Sequence, residues 1–329
     1  MVPSCRVIGT GSIGSRYLRL LADRSENPPR AVPSGGIFRD AELSKIAVHE
    51  PYYTTERPPV DLTVIATRTS SHVQDFLTFG EWSRRVLIEK PIAPTYTLAQ
   101  DLLASPVVQS SAVSAPLRFM QGYEAMSSLL PLAGRILAVQ VVCQSWLPYW
   151  RPHADHRKSY SADPDDGGAL RDLVHEIDYS LKLFGYPKSV SAVLGHSKEL
   201  EIEAEASALL KWKYPDFVLT MTLDYASRVA RRYLSIRGES AEIIWNVLDG
   251  TVKLHGTGKV GSRALHLPHD RSKDEVLVRQ LEALVSSDMS QQLCTIPDAL
   301  RAVAVCDVAR EANEVSESIV LSGPPWGDV

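Results

Sequence analysis

The sequence predicts an α/β protein: a doubly wound parallel sheet in the N-terminal part, followed by a second part built on a mostly antiparallel sheet. Three observations carry this. Residues Cys5 to Leu21 (Cys-Arg-Val-Ile-Gly-Thr-Gly-Ser-Ile-Gly-Ser-Arg-Tyr-Leu-Arg-Leu-Leu) read as strand, glycine turn and amphipathic helix. Short apolar runs at 61–67, 85–91 and 111–115 recur with helical stretches between them, the rhythm of a parallel sheet. Beyond residue 130, strand-like runs follow one another with few helices. Among them, Val218, Thr220 and Thr222 alternate with Leu219, Met221 and Leu223, the period of a sheet with one face buried.

The first turn carries the spacing GxGxxG at Gly9, Gly11 and Gly14. Gly9 allows a sharp exit from the strand, Gly11 lets a pyrophosphate approach the backbone, and Gly14 lets the helix pack on the strand. A dinucleotide's phosphates would then lie against Gly9, Gly11, Ser12, Ile13 and Gly14, where free N–H groups and the helix dipole favour negative charge. The stretch from Ser25 to Gly36 is rich in Pro and Gly and reads as a loop, with a short second strand near Gly36-Ile37-Phe38. At its end stand Arg39 and Asp40. An acid there takes the ribose hydroxyls of NAD and an arginine takes the 2′-phosphate of NADP. Both types occur, and the reading leans to Arg39 and NADP. Asp61 to Thr67 is a buried strand running into Arg68-Thr-Ser-Ser-His72 and a helix, which places Thr67 and His72 toward a cofactor at the carboxyl end of the sheet. Arg85 to Pro91 is another strand, ending in Glu89, Lys90 and Pro91. Packing explains a lysine there poorly; its stem crosses the mouth of the sheet, where a nicotinamide would lie. A helix over 97–103 and a strand over 111–115 complete a first domain of residues 1–115.

In the second domain, 116–329, strands are expected at 135–146, 203–213, 217–225, 231–237 and 241–246, and helices at 168–184, 272–287 and 297–314. On the helix from Gly168, Ala169, Leu173, Ile177 and Leu181 form a packing stripe, while Asp172, His175 and Tyr179 share another face. Histidine has the pKa for acid/base work near neutrality. The stretch Trp146 to Ala162 is dense in Arg, Lys, His and Tyr. Trp150, Arg151, Arg157, Lys158 and Tyr160 suit an oxygen-rich anionic ligand, with guanidinium forks for phosphate or carboxylate and aromatic faces for rings. His153 and His156, with Asp155 between them, could suggest a metal, but a zinc site needs at least three protein ligands with their hydrogen-bonded second shell, and no metal is assigned.

At 329 residues the chain is long enough for two domains. A net charge of −4 gives no basic field for nucleic acid, and no apolar run reaches membrane-spanning length. The first strand is expected to start near Cys5, and no secretory leader is expected ahead of it. Its four scattered cysteines read as buried thiols in a reducing cytoplasm.

Gly-Thr-Gly-Ser-Ile-Gly near the start, Glu89-Lys90-Pro91 after a middle strand, and Gly167-Gly168-Ala-Leu-Arg-Asp172-Leu-Val-His175-Glu-Ile-Asp178 together resemble the Gfo/Idh/MocA oxidoreductases over nearly the whole chain. The resemblance implies an N-terminal Rossmann domain and a C-terminal α/β domain with a large, mainly antiparallel open sheet that forms dimer or tetramer contacts. It implies that the helix at 297–314 packs back towards the first domain. It also implies NAD or NADP as cofactor and a small sugar-like substrate, a sugar, nucleotide sugar or cyclitol. Lys90 would contact the reacting hydroxyl and the nicotinamide ribose, with Glu89 beside it. His175 would act as general acid/base, and Asp172 would bind substrate or orient the histidine. Asp172 stands three residues before His175, where many members have four. Two alternatives stay open at this point: a sugar lyase or glycosidase that oxidises its substrate transiently on bound NAD, and a non-catalytic dinucleotide sensor.

Overall fold

The computed structural model describes residues 4–38, 40–54, 56–286 and 290–325. The chain divides into two compact units, 1–115 with 277–300, and 116–276 with 301–329. The second domain therefore is not the continuous stretch 116–329: a segment near the end of the chain belongs to the first unit.

The first unit is built on β1 (Cys5–Ile8), β2 (Arg30–Val32), β3 (Val48–His49), β4 (Val60–Ile65), β5 (Ser83–Ile88) and β6 (Ser111–Val113). They lie parallel in the order β6-β5-β4-β1-β2-β3. Cys294–Thr295 adds an antiparallel edge beside β6. Helices α1 (Ser12–Ala22), α2 (Leu43–Ile46), α3 (His72–Phe79) and α4 (Tyr96–Ala99) fall between the strands. The central strands are buried along nearly their whole length, as a parallel sheet covered on both faces requires. The second strand is not where the sequence placed it. It is Arg30–Val32, inside the stretch read as loop, with Ala31 and Val32 buried and in register with Val7 and Ile8. Residues 36–38 form no strand, because Gly35 and Gly36 turn the chain at φ +90° and +80°.

The second unit holds α5 (Gln121–Leu129), β7 (Ile136–Trp146), α6 (Ala169–Asp172), α7 (Val174–Phe184), β8 (Ser189–Gly195), β9 (Ser207–Lys213), β10 (Val218–Asp224), β11 (Ala226–Gly238), β12 (Ala241–Asn246), β13 (Thr251–Gly256) and β14 (Ser262–His266). The helices α8 (Lys273–Val285) and α9 (Ile296–Val315) each contribute to both units, with β15 (Cys294–Thr295) between them. With β16 (Ile319–Val320), the strands order as β14-β13-β12-β11-β7-β10-β9-β8-β16, and only β7 and β10 pair in parallel among the described residues. Burial alternates along β9, β10 and β12, so one face is core and the other open. The helix expected over 168–184 is two helices, broken at Leu173 (φ −94°, ψ +25°). Glu205 caps the start of α6, its backbone oxygen accepting Ala169 N and its carboxylate accepting Leu170 N. Asp172 and His175 thus belong to different helices, and the single shared face does not exist. Among the described residues no helix is long and apolar enough to cross a membrane.

Candidate functional site

The three glycines of the first turn play different parts. Gly9 has φ +83°, and a Cβ there would stand 2.6 Å from the Ala66 carbonyl oxygen. A Cβ on Gly14 would stand 1.9 Å from the Gly9 oxygen. Both are needed by the protein's own packing. Around Gly11 there is nothing within 4 Å of the same position. The helix α1 begins there with no side-chain cap and no acid in its first turn. No side chain caps its leading amides at Ser12 and Ile13, an arrangement that accepts a phosphate. This cradle fits a dinucleotide.

The strand β2 ends in Pro33-Ser34-Gly35-Gly36, with no carboxylate in reach of its terminus along the chain. Asp40 pairs with Arg19 of α1 at 2.7 Å and accepts Glu42 N at 3.0 Å. Arg39 lies outside the described residues.

At the neighbouring strand ends, side chains expected to face a cofactor instead brace the backbone. Thr67 donates its hydroxyl to Asp75 at 2.5 Å, and Tyr52 donates to the other Asp75 oxygen at 2.7 Å. His72 is buried, with Nδ1 2.9 Å from the Pro91 carbonyl and Nε2 3.3 Å from that of Thr67. Burial lowers its pKa, which keeps the ring neutral with Nδ1–H donating to Pro91. The ring ties the end of β4 to the end of β5 rather than lining a ligand space. Glu89 is likewise buried; it accepts the Tyr17 hydroxyl at 2.9 Å and the Lys90 amide at 3.3 Å. Tyr17 also lies 3.2 Å from Ser114 Oγ, to which Gln280 donates. Burial and the Glu89 charge push the Tyr17 phenol well above its usual range. Glu89 is thus a strut between α1 and the Lys90 segment, not a cofactor ligand. Tyr17 reads from sequence as one more residue of an apolar stripe; the one available signal was that a buried phenol needs a partner. Lys90 itself is half-buried and follows the carboxyl end of β5, ahead of a cis Pro91.

In the second unit Asp172 is buried and accepts three hydroxyls: Tyr160 on Oδ1, and Ser161 (2.8 Å) and Tyr225 (2.9 Å) on Oδ2. His175, half-buried, stands in the first turn of α7. Two bidentate ion pairs fix that helix. Arg232 on β11 grips Glu176 at 2.7 and 3.0 Å, and Arg118 grips Asp178 at 2.8 and 2.6 Å. Sequence reasoning passed over both arginines and Tyr225. Tyr179 is not a substrate residue: it is fully buried, with its ring 5.7 Å from that of Trp245.

In the loop before α6, Trp150 donates its indole N–H to Ser145 at 2.7 Å and meets the Tyr225 ring edge-on. Arg151 lies over the Tyr160 ring, and Lys158 is exposed. Arg157 is exposed and pairs with Asp155 and Glu201 at 2.9 and 2.7 Å. His156 bonds the Leu200 carbonyl. Among the described residues no group of three or more His, Cys, Asp or Glu could hold a metal ion. The cysteines are buried and unbridged, and burial raises the thiol pKa of Cys5 to about 11 and those of Cys143 and Cys306 to about 12.

Comparison with known proteins accords with this geometry. Residues 4–115 match the oxidoreductase family with an NAD-binding Rossmann fold, and residues 132–244 match the GFO/IDH/MocA C-terminal domain. The uncharacterized oxidoreductase YhhX of Escherichia coli (strain K12) is 26% identical over 249 residues, 67% of this chain and 69% of that protein. Among solved structures, levoglucosan dehydrogenase in complex with NADH superposes with a TM-score of 0.79 at 15% identity, covering 98% of this chain and 99% of that one. UDP-N-acetylglucosamine 3-dehydrogenase GnnA of Acidithiobacillus ferrooxidans gives 0.74 at 18% identity, covering 96% and 99%. With both of its domains matched, the chain belongs to the Gfo/Idh/MocA family of NAD-binding oxidoreductases.

Proposed function

We propose that the protein is a dehydrogenase that moves hydride between a nicotinamide and a secondary carbinol of a sugar or sugar derivative. The open cradle at Gly11, ahead of an uncapped helix, is the observation that carries the reading. Bound NAD(P) supplies the hydride acceptor or donor at its C4. His175 takes the hydroxyl proton in oxidation and returns it in reduction. The Lys90 ammonium stabilises negative charge developing on a carbinol oxygen. Replacing Lys90 or His175 by Ala should lower kcat by about two to four orders of magnitude with cofactor affinity nearly intact. Turnover that survived both changes would overturn this assignment.

NADP(H) is the preferred cofactor in this reading. The acid that would take the ribose hydroxyls is missing after β2, Asp40 is occupied by Arg19, and Ser34 and Arg39 remain for a 2′-phosphate. Parallel fluorescence titrations with NADPH and NADH test it; tighter NADH binding would reverse it. The outer face of the second sheet exposes the cross-strand pair Val193 and Leu209, which a homo-oligomer (dimer or tetramer) would bury; sedimentation of the purified protein decides this. Four buried, unbridged thiols suit a reducing cytoplasm.

A further inference from the structure

Trp150 is 39% exposed, yet its orientation is fixed twice. Its indole N–H is held by Ser145, and its ring stands edge-on to Tyr225 with centroids 5.3 Å apart. The next residue, Arg151, places its guanidinium 5.7 Å from the centre of the Tyr160 ring. No carboxylate among the described residues pairs with it, in contrast to Arg157 six positions on, which Asp155 and Glu201 neutralise. The two supporting rings converge on one group. Tyr160 and Tyr225 both donate to the buried Asp172. Trp150 and Arg151 are thus each one aromatic ring away from Asp172, three residues before His175.

Packing does not account for this pair. An indole held rigid and left open loses the burial that would reward ordering it. A guanidinium resting on a ring keeps its edge donors turned outward in a fork that matches carboxylate or phosphate oxygens. The anchoring also gives Asp172 a role that its saturated oxygens allow, since it organises the wall without touching a ligand.

We propose that Trp150 and Arg151 form a recognition subsite for an anionic sugar derivative. The indole takes the sugar ring, the guanidinium takes a carboxylate or phosphate on it, and Asp172 is the positioning residue. This names the substrate class of the dehydrogenase proposed above and rests on that reading.

The test is calorimetric titration of the full-length protein saturated with reduced cofactor, using glucuronate, glucose 6-phosphate and glucose as probes. At least one charged sugar should bind about tenfold or more tighter than glucose, the gain of one charge-assisted contact. The stronger of the two identifies the anion as carboxylate or phosphate. Arg151→Ala, a surface change that leaves the fold alone, should erase the gap between charged and neutral sugars, and Arg151→Lys should keep part of it. Asp172→Asn should weaken the charged sugar without moving cofactor affinity. The subsite is refuted if glucose binds as well as both charged sugars, if neither charged sugar binds, or if the gap survives in Arg151→Ala. Failure of the cofactor itself to bind would instead sink the dehydrogenase reading.

Discussion

Replacing Tyr17 by Phe isolates the strut between α1 and the Lys90 segment. Tyr17 is fully buried, and Phe keeps its ring, so no cavity opens. What disappears is the hydroxyl that donates to Glu89 at 2.9 Å. The carboxylate then keeps the Lys90 amide at 3.3 Å, a long and weak partner. A hydrogen bond to a charged acceptor is worth about 1.5–3 kcal/mol, so the substitution should cost about 2 kcal/mol. Because the chain has two units, the loss belongs to the first and is best read by hydrogen exchange on the amides of β1, β4 and β5 rather than from one global transition. Pairing the change with Glu89→Gln gives a double-mutant cycle. The two single changes should fail to add by about 1 kcal/mol, since each removes the same charged contact. Both should also lower kcat by loosening the segment that carries Lys90. Additivity within about 0.3 kcal/mol, together with an unchanged kcat, would show that Tyr17 and Glu89 are not coupled and would refute the strut.

Three further outcomes follow from the same geometry. His72 has a depressed pKa when folded, so its contribution is fully present above about pH 6.5 and is lost as pH falls, by up to about 1.4 kcal/mol per unit. His72→Gln should flatten that acid limb in urea unfolding followed across the range, and an identical limb in the variant would exclude His72 as its source. Glu50 is the shared counter-charge of the buried Arg6 and Arg57, at 3.0 and 2.7 Å. Glu50→Gln strands both guanidinium groups and should destabilise the first unit by about 3–5 kcal/mol in denaturant unfolding, whereas a loss under about 1 kcal/mol would mean that solvent reaches them. Gly9→Ala should fail to fold normally because of its clash with Ala66, while Gly11→Ala should show native circular dichroism and weakened NADPH titration. Equal behaviour of the two would contradict the division of roles in the glycine turn.

What the sequence made legible was local. The glycine spacing, the apolar runs of the parallel strands and the alternation in β10 are patterns within a few residues, and each lies where its period put it. The three-residue β2 was hidden because it sits between Pro29 and Pro33, and its pairing with β1 and β3 is what makes it a strand. The side-chain partnerships were illegible for a different reason. Tyr17 meets Glu89 across 72 positions, Arg118 meets Asp178 across 60, and Tyr225 meets Asp172 across 53. Residue type says that such a group wants a partner; only the closed chain says which. The same holds for Arg157, which looks like a ligand-binding fork until Glu201 arrives from 44 positions away.

The acids flanking Lys90 and His175 share one fate, and it bears on the mechanism proposed above. Glu89, next to Lys90, is buried against Tyr17. Asp172, before His175, is buried under three hydroxyls, while Glu176 and Asp178 after it are each locked in a bidentate arginine pair. Such groups hold geometry. The motifs around Lys90 and His175 look rich in acid/base candidates in one dimension, but folding engages the neighbouring carboxylates in contacts of the protein's own, which fits the roles proposed above for Lys90 and His175. A tightly fixed α7 also limits where His175 can reach, since the ion pairs at the positions one and three after it stop the helix from rotating about its axis. In the proposed mechanism His175 is thereby aimed by charges that take no part in the transfer.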